Sequence, residues 1–299
     1  TCALPIWAFG FSKEPLYASI IGNVINFCLN AFFLFVLHKG VAGVATATVI
    51  SRIINLVIVV LLGAVLVKAK QHPERESNRA VMGQIIRIGL PSACETAIYN
   101  VSMTLVIRFL NQMDAQGLNV TARSYTMQIT NFSYCVGAAL AQANAIMTGW
   151  HIGAKEYDAC DRGTKKAAVI GVIVAVILET VFTLCSGWIM QLFSKDPQMV
   201  SLVGKLLAID IVLEIGRVTN LVYGQALKTS GDAVFPVVMG ACFMILCSVG
   251  GTYLFGIRLG LLAVGAYIGM TGDECVRAVG MYLRWKSGKW KEKGLVKSR

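Results

Sequence analysis

The chain has 299 residues, 56% of them hydrophobic and only 14% charged, with a mean hydropathy of +0.66. A soluble domain carries roughly 25% charged residues, so the composition excludes an ordinary globular protein and describes one largely dissolved in lipid. The net charge is +11, yet the basic residues fall in short loops and the tail, and no RNA- or DNA-reading motif occurs. Lipid headgroups, not nucleic acid, are the partner this charge implies. Nine cysteines without CxxC spacing and three scattered histidines give no metal site, disulfide framework or cofactor.

In chain order, residues 1–13 lack the basic start and clean apolar stretch of a signal peptide. Ala3-Leu4-Pro5-Ile6 matches what one frame of a sequencing adapter would encode, so this segment is expected to be non-native and joined to a truncated gene. A spanning helix needs roughly 20 apolar residues. Eight such runs follow: Leu16–Leu37, Val41–Val67, Ile85–Gln112, Val120–Trp150, Ala167–Phe193, Met199–Leu227, Ala233–Phe255 and Leu259–Trp285. They are long and continuously apolar and lack the alternation of a membrane barrel, so an all-α polytopic membrane protein of about eight transmembrane helices is expected.

Loop charge sets the orientation. Lys and Arg gather at 68–87, 155–166, Lys228 and the tail from Arg284 to Arg299, whereas the alternate loops hold little beyond Lys39, Lys195 and Arg258. By the positive-inside rule both ends are cytoplasmic, and the tail is read as plain and solvated. The polar loop 68–84, with Pro73 and Glu74-Arg75-Glu76, reads as a linker between a two-helix piece at 14–67 and a six-helix piece at 85–285. A basic tail follows at 286–299. A weak internal repeat agrees: Pro15-Leu-Tyr, a helix and Gly40-Val-Ala-Gly43 recur as Pro236-Val-Val-Met-Gly240, a helix and Gly260-Leu-Leu-Ala-Val-Gly265. Helical repeats of this kind occur in secondary transporters.

The chemistry lies in the charges inside the runs. A charged side chain at membrane depth costs at least a few kcal/mol, so it seldom lies there idle. Glu95 is the one carboxylate of its run, and Pro91, one turn earlier, is a candidate hinge. Asp210, Glu214 and Arg217 are spaced i, i+4, i+7 and share a helical face. Asp273, Glu274 and Arg277 sit in the last run. Measured from the cytoplasmic ends, Glu95, Arg217 and Asp273 fall at similar depth and are expected to meet. Acids outnumber bases in this set, which suits a cation or proton site; the plainer reading is a fully paired structural network. Tyr99, Asn100, Asn131, Tyr134, Gln142, Asn144, Asn220 and Tyr223 are expected to line a wet cavity at this level, although single polar residues also just join helices.

Ile88-Gly-Leu-Pro-Ser-Ala-Cys-Glu95, Ala226-Leu-Lys-Thr-Ser-Gly-Asp232 and Gly40-Val-Ala-Gly-Val-Ala-Thr-Ala resemble the multidrug and toxic compound extrusion (MATE) family from about Glu14 to the tail. That resemblance implies twelve helices in two lobes, of which this chain would hold the last two of the N-lobe and the whole C-lobe. It implies export of small organic cations across the plasma membrane by alternating access, driven by sodium or protons, with the missing N-lobe helices as partners. The family's acid two turns after the proline is Tyr99 here, and its acidic partner reads Arg217, so the sodium site of those members does not carry over. A lipid-linked oligosaccharide flippase of the same superfamily, which would have a basic cavity, is the alternative. An intramembrane enzyme would need a set such as HExxH, which does not occur; a non-transporting scaffold would not need buried acids.

Overall fold

The computed structural model describes residues 13–68, 78–114 and 117–293, and among these all regular structure is helical. The segment 1–12, the Pro73–Glu76 part of the loop, the Pro91 ring and the last six residues lie outside the description. Two compact units divide at Ser77 and Asn78.

The first unit is a helical hairpin, α1 (Lys13–Ala31) and α2 (Gly40–Lys68). Its interface is built of small residues: Ala18 and Ala47 are buried, and a Cβ on Gly22 would come within 3.1 Å of Asn55. The Asn26 amide donates to Ser51 at 2.9 Å. Large apolar side chains such as Phe27, Phe35 and Val65 face outward, as lipid requires.

The second unit contains α3 (Asn78–Met113), α4 (Leu118–Gly153), α5 (Tyr157–Leu184), α6 (Pro197–Thr229), α7 (Val234–Phe243) and α8 (Leu262–Lys286). Helix α6 is its axis, packed by α4, α5 and α8. Its 33 residues span about 50 Å. It starts on Asp196, whose carboxylate accepts from the Gln198 amide at 3.0 Å, followed by Pro197 in the first helical position. Two apolar clusters grip it: Val203, Leu206, Leu207 and Leu213 toward one end, and Val218, Val222 and Leu227 toward the other. Asp210, Glu214 and Arg217 occupy the seam between them.

Helix α5 shows why the packing is close. Ile170, Ile173, Ile177, Val181 and Leu184 form an exposed stripe. The opposite stripe is Ala168, Gly171, Ala175 and Glu179, all buried. A Cβ on Gly171 would lie 2.7 Å from Val218 Cγ1, so the small residues bring α5 hard against α6 and carry Glu179 with them.

Among the described residues, four helical stretches are long and apolar enough to cross a membrane: Lys13–Val36, Gly40–Val65, Tyr157–Leu184 and Val234–Arg258. The remaining long helices have the length but carry the charges described below. Several boundaries differ from the apolar runs. Helix α3 begins at Asn78, so residues 78–84 are helix rather than linker. Helix α5 begins ten residues before Ala167 because its polar first turns are helical too, with Lys165 paired to Asp161 at 2.6 Å. It stops at Leu184, and a one-turn helix, Ser186–Met190, follows. After α7 the chain widens into π-helical turns at Met244–Val249 and Thr252–Arg258. A Cβ on Gly265 would fall 2.4 Å from the Phe255 backbone, so only glycine lets α8 approach these turns. The hairpin α1–α2 repeats the device: π-helical Phe32–Val36, a positive-φ glycine at Gly40 matching Gly260, then the second helix.

The tail is not plainly solvated. Gly288 (φ 71) turns the chain back, and Trp290 stacks on Trp285 with centroids 4.2 Å apart. Lys293 Nζ reaches Asp232 at 2.6 Å. Asp232 sits in the α6–α7 turn, after Gly231 at φ 91, and also accepts from Arg284 at 2.6 Å. Burial works to raise this carboxyl, and the hydrogen bonds and charges of Arg284 and Lys293 outweigh it, holding it below the usual carboxylate range.

Candidate functional site

Two adjoining cavities of about 220 and 370 Å³ open within the second unit. Tyr99, Tyr134, Arg217, Glu274 and Arg277 line both, so one belt of charge and phenol joins them. Asp210, Asp273, Arg123, Asn131 and Tyr267 complete the smaller cavity; Glu95, Asn220 and Lys228 complete the larger.

The belt is heavily paired. Arg277 holds Asp273 with two hydrogen bonds of 2.8 Å, and its Nη2 reaches Glu274 Oε1 at 2.9 Å. Ser248 Oγ donates to Asp273 at 2.9 Å, and Asn220 Nδ2 to Glu274 at 3.0 Å. Arg217 pairs with Glu214, lies 3.9 Å from Glu274 and stands 5.9 Å from the Tyr134 ring centroid. Glu95 on α3 is tied to Lys228 on α6 at 2.5 Å. A Cβ on Gly240 of α7 would come within 3.4 Å of Glu95 Oε1. The ion pair joins α3 to α6, and α7 packs close beside it.

Against the sequence expectations, Glu95, Arg217, Asp273 and Glu274 do share the cavity region, but Glu95 pairs with Lys228 and not with Arg217. Lys228, counted as loop charge, is on the last turn of α6 with its side chain only 20% exposed. The expected acid excess fails for the lining: Glu95, Asp210, Asp273 and Glu274 face Arg123, Arg217, Arg277 and Lys228, four against four. Arg123, buried beside Met103 at 3.6 Å, was not anticipated. Asn100, Gln142, Asn144 and Tyr223 are not among the residues lining either cavity. Asn100 Nδ2 donates to the Thr96 carbonyl at 2.9 Å, Asn144 Nδ2 donates to Thr164 between α4 and α5, and Tyr223 packs edge-on against Tyr282. The backbone of α3 runs helical through position 91.

Sequence reasoning missed Glu179. It is fully buried, and one oxygen from each of Glu179, Asp210 and Glu214 lies within 4.8 Å of the others. Its signal was available: it is a lone carboxylate in a long apolar run, which by its cost alone marks a site.

Long, largely apolar helices that gather acids and bases around two adjoining polar cavities define a polytopic membrane protein. A family model for MatE matches residues 91–254, more than half of the chain, and the chain belongs to that family. An uncharacterised transporter, YisQ of Bacillus subtilis, is 33% identical over 295 residues, covering 97% of this chain and 64% of its own length. The probable multidrug resistance protein NorM of Thermotoga maritima is 21% identical, covering 96% and 62%. The crystal structure of the eukaryotic MATE transporter AtDTX14 superposes with a TM-score of 0.83 at 19% identity, covering 93% of this chain and 63% of that one, which shows the fold. The chain thus spans less than two thirds of the relatives it matches.

Proposed function

We propose that the protein is the larger part of a secondary transporter that exports small organic cations across the plasma membrane by alternating access, coupled to inward flow of sodium or protons. What carries this reading is the charged double cavity in a MatE-family chain, with Glu95 tying α3 to α6 through Lys228. A salt bridge at the meeting of three helices is a contact that can open and close as they move, and an arriving cation competes for its carboxylate. The tyrosines Tyr99 and Tyr134 add faces on which a cation can rest. In this reading the first unit is the end of an N-lobe and the second a C-lobe. N-lobe helices beyond this chain complete the cavity wall, the protein is multi-pass, and both ends of the chain are cytoplasmic.

The four basic residues of the lining favour a second reading, transport of an anionic or zwitterionic lipid-linked substrate such as a lipid-linked oligosaccharide. The test is efflux of ethidium from cells expressing the chain joined to a complete N-lobe, under imposed sodium and proton gradients. Gradient-driven efflux that is abolished by Glu95→Gln, with the variant still in the membrane, supports cation export. No efflux under either gradient contradicts it and moves the search to anionic lipids.

A further inference from the structure

We propose that Arg123 forms a binding site for a carboxylate group in the smaller of the two cavities. The observation that singles it out is a missing counter-ion. The other three bases of the lining are paired: Arg217 with Glu214, Arg277 with Asp273 and Glu274, and Lys228 with Glu95. Arg123 lines the smaller cavity with only 7% of its surface exposed. Among the described residues no carboxylate, Asp210 of the same cavity included, comes within ion-pair distance of it. Its one hydrogen bond among them runs from Nη2 to the Met103 sulfur at 3.6 Å, a weak acceptor, and its Nε is buried with no partner.

A buried carboxylate can shed its charge by taking a proton. A guanidinium cannot, because it stays protonated in proteins. The cost of desolvating such a fixed charge is offset only by an anion or by water. Space for an anion exists: the cavity holds about 220 Å³, several times the roughly 30 Å³ that one water occupies. The planar fork of an arginine matches the two oxygens of a carboxylate. The walls set the rest of the ligand. Met103 of α3 and Met127, one turn after Arg123 on α4, are soft and apolar, and Tyr99 and Tyr134 are aromatic. Tyr267 of α8, buried and within electrostatic reach of Arg123, brings a third helix to the site. An aromatic monocarboxylate meets all of these features. The site goes beyond the transport reading, in which the cavities take a cation, by giving the ligand an acidic end as well. It rests on that reading only for the ligand's role as cargo; binding itself does not depend on transport.

The test is equilibrium binding of radiolabelled benzoate to the chain joined to a complete N-lobe, in nanodiscs of phosphatidylcholine. Saturable binding that unlabelled benzoate displaces, and neutral benzyl alcohol does not, is expected. Arg123→Met should weaken it about tenfold or more, the loss expected for a charge-assisted hydrogen bond. Without benzoate, the same variant should melt no lower than wild type, because it removes a buried charge that has no partner. Glu156→Gln, a surface change at a residue whose side chain is 59% exposed, should leave binding unchanged. Three results each overturn the site: no saturable binding, equal displacement by benzyl alcohol, or Arg123→Met that binds like wild type. Arg123→Met that folds but melts well below wild type also overturns it, since the guanidinium is then already paired. Should Arg123→Met fail to fold, Arg123→Gln carries the test: weaker binding supports the site and unchanged binding overturns it. Benzoate binding without ethidium efflux supports the site and contradicts the transport reading; efflux without benzoate binding does the reverse.

Discussion

Two sets of buried acids share this six-helix unit, and they are treated in opposite ways. On α8, Asp273 and Glu274 are bonded by Arg277, Ser248 and Asn220. On α5 and α6, Glu179 has the Ser133 hydroxyl beside it and Glu214 pairs with Arg217, while Asp210 Oδ2 is buried with no hydrogen bond among the described residues. The chemistry of the side chains is the same, and the difference lies in the neighbours: Arg277 sits on α8 beside both of its acids, whereas Arg217 bonds only Glu214 of the other set.

The largest expected effect comes from breaking the paired set. Arg277→Leu strands Asp273 and Glu274, and removing one partner of a buried pair costs about 3–5 kcal/mol. A sharply lowered melting midpoint in detergent is the expected result; a midpoint near wild type would show that the belt is not structural. A smaller effect sharpens the same contrast outside the membrane. Asp232, held below its ordinary range by Arg284 and Lys293, contributes stability that is present above its unfolded value of about 3.9 and lost as pH falls through the lower folded value. The melting midpoint should therefore be flat above about pH 5 and fall more steeply below about pH 4 in wild type than in Asp232→Asn. Parallel curves would remove Asp232 from the account of the docked tail.

The fold was largely readable because a helix in lipid must be long and apolar, and the apolar runs are helical where the structure describes them. Where boundaries slipped, as at Asn78 and Tyr157, polar helical turns outside the apolar length were to blame. The site was readable in part. The i, i+4, i+7 spacing put Asp210, Glu214 and Arg217 together because neighbours on one helix are written in sequence. Lys228 was not placed, because its partner Glu95 comes from a helix far off in the chain; Glu179 stood out only as a lone acid, since Asp210 and Glu214 reach it from another helix. Asn144 and Tyr223 misled for the converse reason: a polar residue in a helix has many near neighbours that can satisfy it.

The most direct measurement is one melting series in detergent on wild type, Asp273→Asn and Glu179→Gln. If the acids of α8 are held by Arg277 and Ser248 more completely than Glu179 is held by its neighbours, Asp273→Asn melts well below wild type and Glu179→Gln close to it. Equal destabilisation of both variants would contradict the distinction.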